Sequence, residues 1–288
     1  MRRDTVEKAL KKYWPVFVLP TFAAFVIGFV WPFIQGLYLS FCKFITIDNA
    51  TFNGLKNYAY ALTEDSFLYS FGFTALFTVV STLCINVAAL AIALALTREI
   101  KGTNLFRSIF FMPNLIGGIV LGYIWNILLN CALTLLGEPL LSLHAPYGFI
   151  GLVILMCWQQ IGYMMIIYIA GLQSIPNDYL EAARIDGATE RQILWKVKLP
   201  NLMPSITICL FLSLTNGFKL FDQNLALTGG DPVHKTEMLA LNIYQTFYGR
   251  SGPQWKGYGQ AKAVLFCILV VVIGLVQLKS TRSKEVQQ

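Results

Sequence analysis

Six long runs without a charged side chain constrain this chain more than any other feature of its sequence. They are residues 13–42, 66–97, 108–137, 139–177, 199–218 and 263–278, with His144 taken as neutral. About 20 apolar residues at 1.5 Å each are needed to cross the hydrocarbon core of a bilayer. Each run reaches that length once its rim is counted, with Lys262 expected to extend its ammonium group to the membrane surface. Only 13% of the residues are charged, against about 25% in soluble domains, so the apolar surface requires lipid.

These runs predict an all-α membrane protein with six transmembrane helices, organised as one transmembrane domain over residues 1–288. The expected spans are 15–41, 67–96, 108–129, 148–172, 201–221 and 260–279. A further stretch, 238–249, is too short to cross the bilayer and predicts a helix that lies at the membrane surface. Six cysteines are too few for a secreted disulfide scaffold, so we interpret them as small apolar residues.

The distribution of Lys and Arg predicts the orientation. If the N-terminus is cytoplasmic, fifteen of the 22 basic residues fall on the cytoplasmic side and seven on the external side. Because cytoplasmic loops of membrane proteins carry the excess of Lys and Arg, we expect both termini in the cytoplasm. The cytoplasmic group includes Arg98, Lys101 and Lys284. The first apolar run is too long for a cleavable signal peptide, so we interpret it as an uncleaved first helix.

The segment between the fourth and fifth spans, residues 174–200, is long enough to carry a function of its own. It reads SIPNDYLEAARIDGATERQILWKVKLP. Capping-box spacing at Asp178 with Glu181, and at Thr189 with Gln192, predicts two short helices. Gly187 between them predicts a turn with positive φ. The residues alone leave two interpretations open, a loop that only connects two spans and a hairpin that docks against another protein.

The same segment resembles the EAA signature of ABC importer permeases. Glu181-Ala182-Ala183, then Gly187 after three residues and Val197-Lys198-Leu199-Pro200 after nine more, follows the family pattern E-A-A, x3, G, x9, I-x-L-P with valine for isoleucine. The resemblance implies a cytoplasmic coupling hairpin between helices four and five that inserts into a groove of an ATPase subunit. The residues that it assigns to this contact are Glu181, Ala182, Ala183, Arg184, Asp186, Gly187, Ala188, Leu199 and Pro200.

The resemblance also implies the other components of a transporter. We expect a second, paralogous permease subunit, two ABC ATPase subunits that carry ATP and Mg²⁺, and an extracytoplasmic sugar-binding protein. The sequence has no G-x-x-x-x-G-K-[ST] phosphate loop, no Cys/His metal cluster and no G-x-S-x-G elbow. We therefore interpret the chain as a pore subunit with no catalytic residue, cofactor or metal of its own and no nucleic-acid partner. Its expected location is the inner, or cytoplasmic, membrane of a bacterium or archaeon, which it crosses several times in contact with the lipid bilayer.

The external segment, residues 222–258, contains a strong turn signal. That signal is Gly229-Gly230-Asp231-Pro232, and apolar residues at helical spacing follow it. The segment resembles the L-T-G-G-x-P…T-E-x-L…I-Y motif of carbohydrate permeases of the maltose and multiple-sugar type. The interpretation drawn from this motif is that Gly229, Gly230, Asp231 and Pro232 contact the binding protein. The alternative is a helix that only seals the outer rim of the pore.

Polar side chains inside the predicted spans mark a candidate substrate pathway, because they are costly in lipid unless they face a partner or a cavity. Those on the fourth and fifth spans are Trp158, Gln159, Gln160, Tyr163, Ser213, Asn216, Lys219 and Asp222. Aromatic rings stack on the apolar faces of sugars, and amides and hydroxyls match sugar hydroxyl groups. Lys219 and Asp222 have the i, i+3 spacing of a helical ion pair, which predicts a neutral outer gate. The alternative for each of these side chains is that it only forms a hydrogen bond between two helices.

Together these features predict the permease subunit of an ATP-driven importer for a carbohydrate, and the resemblance favours an oligosaccharide. One alternative is an ABC permease for glycerol phosphate or a polyamine, which clustered charges along the pore would favour. The other alternative is an ion-driven secondary transporter, which an acidic residue at mid-membrane would favour. All fifteen acidic residues fall in predicted loops or at the rims of spans.

Overall fold

The computed structural model describes residues 2–97 and 102–282. These residues are mostly helical, so the predicted all-α class is confirmed. Arg98, Lys101 and Lys284, which enter the orientation argument, lie outside the described residues. The orientation of the termini stays a prediction.

Five helical segments in the described ranges are long and apolar enough to cross a bilayer. They are Tyr13–Leu39, Asp65–Leu96, Gly118–Leu135, Ala145–Gln173 and Pro253–Gln277. A sixth crossing results if Glu190–Asn201 and Met203–Phe218, which meet at an angle of 68°, form one span. The break lies two residues before Pro204, which has no N–H group to continue the helical hydrogen bonds back to Pro200.

The elements are as follows in chain order. The helices are α1 Arg2–Phe25, α2 Trp31–Leu39, α3 Lys56–Thr63, α4 Asp65–Leu96, α5 Thr103–Phe111, α6 Gly118–Leu135, α7 Ala145–Gln173, α8 Asn177–Ile185, α9 Glu190–Ile193, α10 Leu199–Asn201, α11 Met203–Phe218, α12 Asp222–Leu227, α13 Leu239–Tyr248 and α14 Pro253–Arg282. A π-helical stretch, Val26–Val30, joins α1 to α2, and another, Leu194–Lys198, joins α9 to α10. Short 3-10 turns occupy Ile47–Asn49 and Met112–Leu115. Two short strands, β1 Cys42–Lys43 and β2 Thr51–Phe52, pair antiparallel.

The first of two compact units comprises the chain up to residue 63 and residues 243–265. Its buried Asn57 amide donates to the backbone carbonyls of Ser40 at 2.8 Å and Cys42 at 2.9 Å. Lys262 in α14 is fully buried, and its ammonium donates to the Thr246 hydroxyl at 2.8 Å. The expectation that Lys262 reaches the membrane surface is therefore wrong, because Thr246 gives its ammonium an acceptor inside the protein.

The second compact unit comprises residues 64–242 together with the chain from 266 onward. Helices α4, α7 and α11 contact one another at its centre and bury most of the apolar core. Gly162 of α7 lies so close to the backbone of Phe110 that any side chain at this position would collide with it. The close approach of these helices leaves narrow spaces between them, and their polar side chains define the candidate site.

Candidate functional site

The segment between α7 and α11, residues 174–200, forms two short helices around a glycine turn. The N–H of Ala188 donates to the Ala183 carbonyl and the N–H of Gly187 to the Arg184 carbonyl, both at 3.0 Å. This pair of bonds is a Schellman motif, and it requires the positive φ of +77° that Gly187 adopts. The turn predicted at Gly187 is therefore confirmed.

The two capping boxes predicted in this segment have different outcomes. Thr189 and Gln192 form one, because the Gln192 side chain accepts from the Thr189 N–H at 2.7 Å and the Thr189 hydroxyl accepts from the Gln192 N–H at 3.3 Å. The box at Asp178 and Glu181 is wrong. Helix α8 begins two residues earlier than this box predicts, at Asn177 directly after Pro176, and has no side-chain cap.

Most residues assigned to ATPase coupling face solvent. Glu181, Ala182, Arg184, Asp186 and Gly187 are exposed, whereas Ala183, Ala188, Leu199 and Pro200 are half-buried. The sequence analysis did not assign Ile185 to the contact, yet its side chain is 85% exposed at the end of α8. Tyr179 and Trp195 of the same segment are also exposed, by 55% and 64%. Several large apolar side chains exposed in one short segment are typical of a surface that contacts another protein. The partner itself stays a prediction.

Four of the eight predicted pathway residues line one cavity of about 280 Å³, near the lower end of the range of about 300–1,000 Å³ for small-molecule sites. They are Gln160 of α7, Asn216 of α11, and Lys219 and Asp222 in the chain that follows. The other lining residues are Met156, Leu220, Phe221 and Gln223. Polar side chains from two spans and from the segment beyond α11 therefore share one space.

Amide side chains bridge the elements around this cavity. Asn216 donates to the Gln160 side chain at 3.3 Å, and Gln223 donates to the Gln159 side chain at 2.7 Å. Gln159 in turn donates to the carbonyl of Ile116 at 3.3 Å. The sequence analysis missed Gln223, because it assigned residues 222–258 to an external loop. The stretch DQNLAL, directly after the fifth span, is compatible with a short helix, but nothing in it indicates that Gln223 reaches a cavity.

The predicted ion pair of Lys219 with Asp222 is wrong. Helix α11 ends at Phe218 and α12 begins at Asp222, so the i, i+3 geometry of one continuous helix is not available. Among the residues that the structure describes, neither side chain has an ion-pair partner within 4.0 Å. The cavity therefore has one exposed cation and one exposed anion on its wall.

Gln159 reaches the cavity wall only through its bond with Gln223, and the remaining three pathway residues lie apart from that wall. Trp158 is 43% exposed and its ring packs edge-on against Trp125 at 5.5 Å between centroids. Tyr163 packs against the apolar core. Ser213 is fully buried, and its hydroxyl accepts from the Asn86 amide at 2.8 Å.

Ser213 belongs to a buried network that joins three spans. The Tyr168 hydroxyl donates to the Asn86 side-chain oxygen at 2.7 Å, so α7, α4 and α11 are linked in series. This arrangement matches the alternative role of a hydrogen bond between helices. The contribution of Ser213 to a substrate pathway stays a prediction.

The segment after α11, residues 222–239, is organised around Asn224. Its fully buried side chain donates to the Thr228 hydroxyl at 2.9 Å and the Thr236 carbonyl at 2.8 Å, and accepts from the Met238 N–H at 3.0 Å. Of the residues predicted to contact a binding protein, Gly229 and Asp231 are exposed, Pro232 is half-buried and Gly230 is buried. Gly229 and Gly230 have positive φ values of 61° and 94°, which the tight turn requires.

Comparisons with known proteins give the same class as the sequence signature. Residues 86–281 match the family described as "Binding-protein-dependent transport system inner membrane component". The chain is 43% identical over 285 residues to the probable starch degradation products transport system permease protein AmyD of Thermoanaerobacterium thermosulfurigenes, covering 96% of this chain and 95% of that protein. It is 33% identical to the multiple sugar-binding transport system permease protein MsmF of Streptococcus mutans, covering 98% and 100%.

A solved structure supports the fold. A chain of a bacterial ABC transporter involved in the import of the acidic polysaccharide alginate superposes with a TM-score of 0.80. The match covers 97% of this chain and 99% of that chain at 20% sequence identity.

Proposed function

Because the chain belongs to the family of binding-protein-dependent transport system inner membrane components, we propose that it is the permease subunit of an ATP-driven ABC importer for a carbohydrate. The observation that carries the substrate class is the cavity bordered by Gln160, Asn216 and Gln223. Amides both donate and accept hydrogen bonds, so they match the hydroxyl groups of a neutral polyol. The relatives named for starch degradation products and multiple sugars support an oligosaccharide.

The charges on the cavity wall favour a neutral solute over the charged alternatives. Lys219 and Asp222 contribute one charge of each sign. A glycerol phosphate carries about −1.5 to −2 charges at neutral pH and a polyamine carries positive charges, and the described wall has no excess of either sign. The fifteen acidic residues lie in predicted loops or at span rims, which argues against a secondary transporter driven by an ion gradient.

The segment of residues 174–200 supplies the proposed connection to ATP. We assign it to the cytoplasmic face, where Ile185 and the small residues around it meet an ABC ATPase subunit that binds ATP and Mg²⁺. A second, paralogous permease completes the pore, and an extracytoplasmic binding protein delivers the sugar. Docking drives transport only if the ATPase binds two states of this segment with different affinity, since equal affinity shifts no equilibrium.

The test is uptake by proteoliposomes that contain this chain with the subunits that co-purify with it. Labelled maltooligosaccharides, glycerol 3-phosphate and putrescine are compared, each with ATP inside the vesicles and binding protein outside. We expect uptake of the sugar alone. Gln160→Leu removes an amide from the cavity and should lower sugar uptake about tenfold at limiting sugar, the value of one lost hydrogen bond.

Gln173→Leu is the matched control, because Gln173 is exposed at the end of the same helix and does not line the cavity. Its uptake should equal that of the unmodified chain. Preferred uptake of glycerol phosphate or putrescine would overturn the proposed substrate class. An equal loss of sugar uptake in Gln160→Leu and Gln173→Leu would show that Gln160 does not belong to the substrate pathway.

A further inference from the structure

A second cavity, of about 580 Å³, lies in the second compact unit between the end of α4 and the helices of the 174–200 segment. Its apolar lining includes Leu94 in the last turn of α4, Leu180 of α8 and Leu194 after α9. Arg184 and Lys198 bring cations to the same cavity. The proposed sugar pathway does not use this space.

The charges that line the cavity leave one cation available. The guanidinium group of Arg184 lies 3.5 Å from the carboxylate of Glu190, so these two compensate each other. Lys198 makes no ion pair within the described ranges of the chain. The described lining therefore carries one net positive charge. A phosphodiester has one negative charge and matches this balance, whereas a phosphate monoester has about −1.5 to −2 at neutral pH.

The position of the cavity also favours a lipid over a soluble ion. Leu94 lies two residues before the end of a helix that is long and apolar enough to cross a bilayer, and the charge-free run of this helix ends at residue 97. We therefore place the cavity near the membrane surface. A phospholipid has its phosphate at this level and its glycerol and first methylene groups directly beside it. The three leucines suit the apolar part of such a ligand, and the Lys198 ammonium suits the phosphate. Basic pockets between transmembrane helices bind anionic headgroups, and this pocket offers the same charge next to one span end and the short helices of the 174–200 segment.

We propose that this cavity binds the headgroup of an anionic phospholipid, with Lys198 contacting the phosphodiester. The ligand would rest against α8, the residues after α9 and the end of α4 at once. It would therefore connect the composition of the surrounding membrane to the position of the segment that we assign to the ATPase. The lipid site does not depend on which solute crosses the pore.

The test is native mass spectrometry of the chain, purified in mild detergent together with whatever subunits accompany it. Phosphatidylglycerol is titrated into the delipidated sample, with phosphatidylcholine as the zwitterionic probe and inorganic phosphate as the soluble one. The variants are Lys198→Gln, Lys198→Arg and Lys196→Gln. Lys196 is the matched control, since it lies two residues away, is exposed and does not line the cavity.

One phosphatidylglycerol should bind more tightly than the rest, and Lys198→Gln should weaken it about fivefold, the effect of one basic residue near a membrane surface. Lys198→Arg should retain the affinity and Lys196→Gln should leave it unchanged. The proposal is overturned if Lys196→Gln weakens binding as much as Lys198→Gln. Equal affinity for phosphatidylcholine, or displacement of the lipid by millimolar inorganic phosphate, would also overturn it. Comparable co-purification of subunits in all variants excludes misfolding as the cause.

Discussion

Two connecting segments of this membrane protein, similar in polarity by sequence, have opposite relations to the rest of the fold. In the 174–200 segment, the turn closes on its own backbone and Ile185 is 85% exposed. In the 222–239 segment, Asn224 and Leu239 are buried. The first segment buries Ile193 but leaves the residues around its turn exposed, whereas the second buries residues near both of its ends in the helix bundle and exposes mainly the turn around Val233.

The integration of the 222–239 segment has specific anchors. The N–H of Leu239 donates to the Thr74 hydroxyl of α4 at 2.9 Å, and the Asn126 amide of α6 donates to the Leu227 carbonyl at 2.6 Å. Gly122 of α6 lies so close to Ala226 of α12 that a side chain at position 122 would collide with it. These contacts fix the end of α12, and the helix then keeps Asp222 and Gln223 at the wall of the proposed sugar cavity.

This difference fits the two proposed roles, contact with a partner that moves for the first segment and a fixed boundary of the pathway for the second. A surface that contacts a moving ATPase needs only hydrogen bonds within its own backbone to form its turn. Its apolar side chains can then stay exposed for the partner. A pathway wall has to keep its polar groups in place, which requires buried hydrogen bonds to neighbouring helices. Substitutions in the two segments should therefore affect different measurements.

Gly187→Pro should have the largest effect. Proline fixes φ near −65°, whereas Gly187 requires +77°, so the turn between α8 and α9 cannot form. ATP-driven sugar uptake in proteoliposomes should fall at least a hundredfold. The matched control is Gly137→Pro, because Gly137 has a φ of +74° and equally open surroundings but lies outside the segment. Similar loss in both variants would mean that general backbone strain, not coupling, explains the result.

Asn224→Ala should destabilise the fold rather than the contact with a partner. The Met238 N–H and the Thr236 carbonyl would lose their buried partner, at a cost of about 1–3 kcal/mol each. The measurement is the free energy of unfolding in detergent. Asn177→Ala, at the exposed start of α8, should change it by less than about 0.5 kcal/mol. Equal stability of the two variants would contradict the contrast between the segments.

Ile185→Asp should weaken binding of the ATPase subunits while leaving stability unchanged. Removing a buried isoleucine from an interface costs about 1.5–3 kcal/mol, which is more than tenfold in affinity. The measurement is the amount of ATPase subunit that co-purifies with the tagged chain. Val233→Asp is the control, because Val233 is 83% exposed in the other segment. ATPase recovery that falls equally in both would show that exposure alone determines the effect.

Thr74→Val should have the smallest effect. It removes the acceptor for the Leu239 N–H with little change of shape, and interhelical hydrogen bonds in membranes contribute about 0.6 kcal/mol on average. Thr97→Val is the control, since the Thr97 hydroxyl donates only within its own helix. If Thr74→Val loses no more stability than Thr97→Val, the hydrogen bond between Thr74 and Leu239 does not anchor the segment.

The sequence predicted the helical membrane class because the length of a spanning run is set by the thickness of the bilayer and not by contacts elsewhere in the fold. It also predicted the Gly187 turn and the Thr189 cap, which are local. It failed at Lys262, Asp178 and the Lys219–Asp222 pair. The acceptor for Lys262 is Thr246 on another helix, Pro176 starts α8 before Asp178, and the chain leaves α11 between Lys219 and Asp222.

Gln223 could not be predicted for a similar reason. Hydropathy distinguishes apolar spans from the polar segments that connect them. It does not indicate whether a connecting segment folds back against a cavity. That outcome depends on Gly122 packing against Ala226, which lies more than 100 positions further along the chain, and on the buried hydrogen bonds of Asn224. The exposed segment was easier to interpret because its conformation is decided by neighbours in sequence.

The contrast between the two segments requires that the 174–200 segment face the proposed ATPase and that the 222–239 segment not face it. The most direct measurement is photo-cross-linking in intact cells from a benzophenone side chain at position 185 or at position 233, followed by mass spectrometry of the captured partner. The account predicts that position 185 captures a protein with a nucleotide-binding phosphate loop and that position 233 captures no such protein. Capture of that ATPase from position 233, or of lipid alone from position 185, would contradict it.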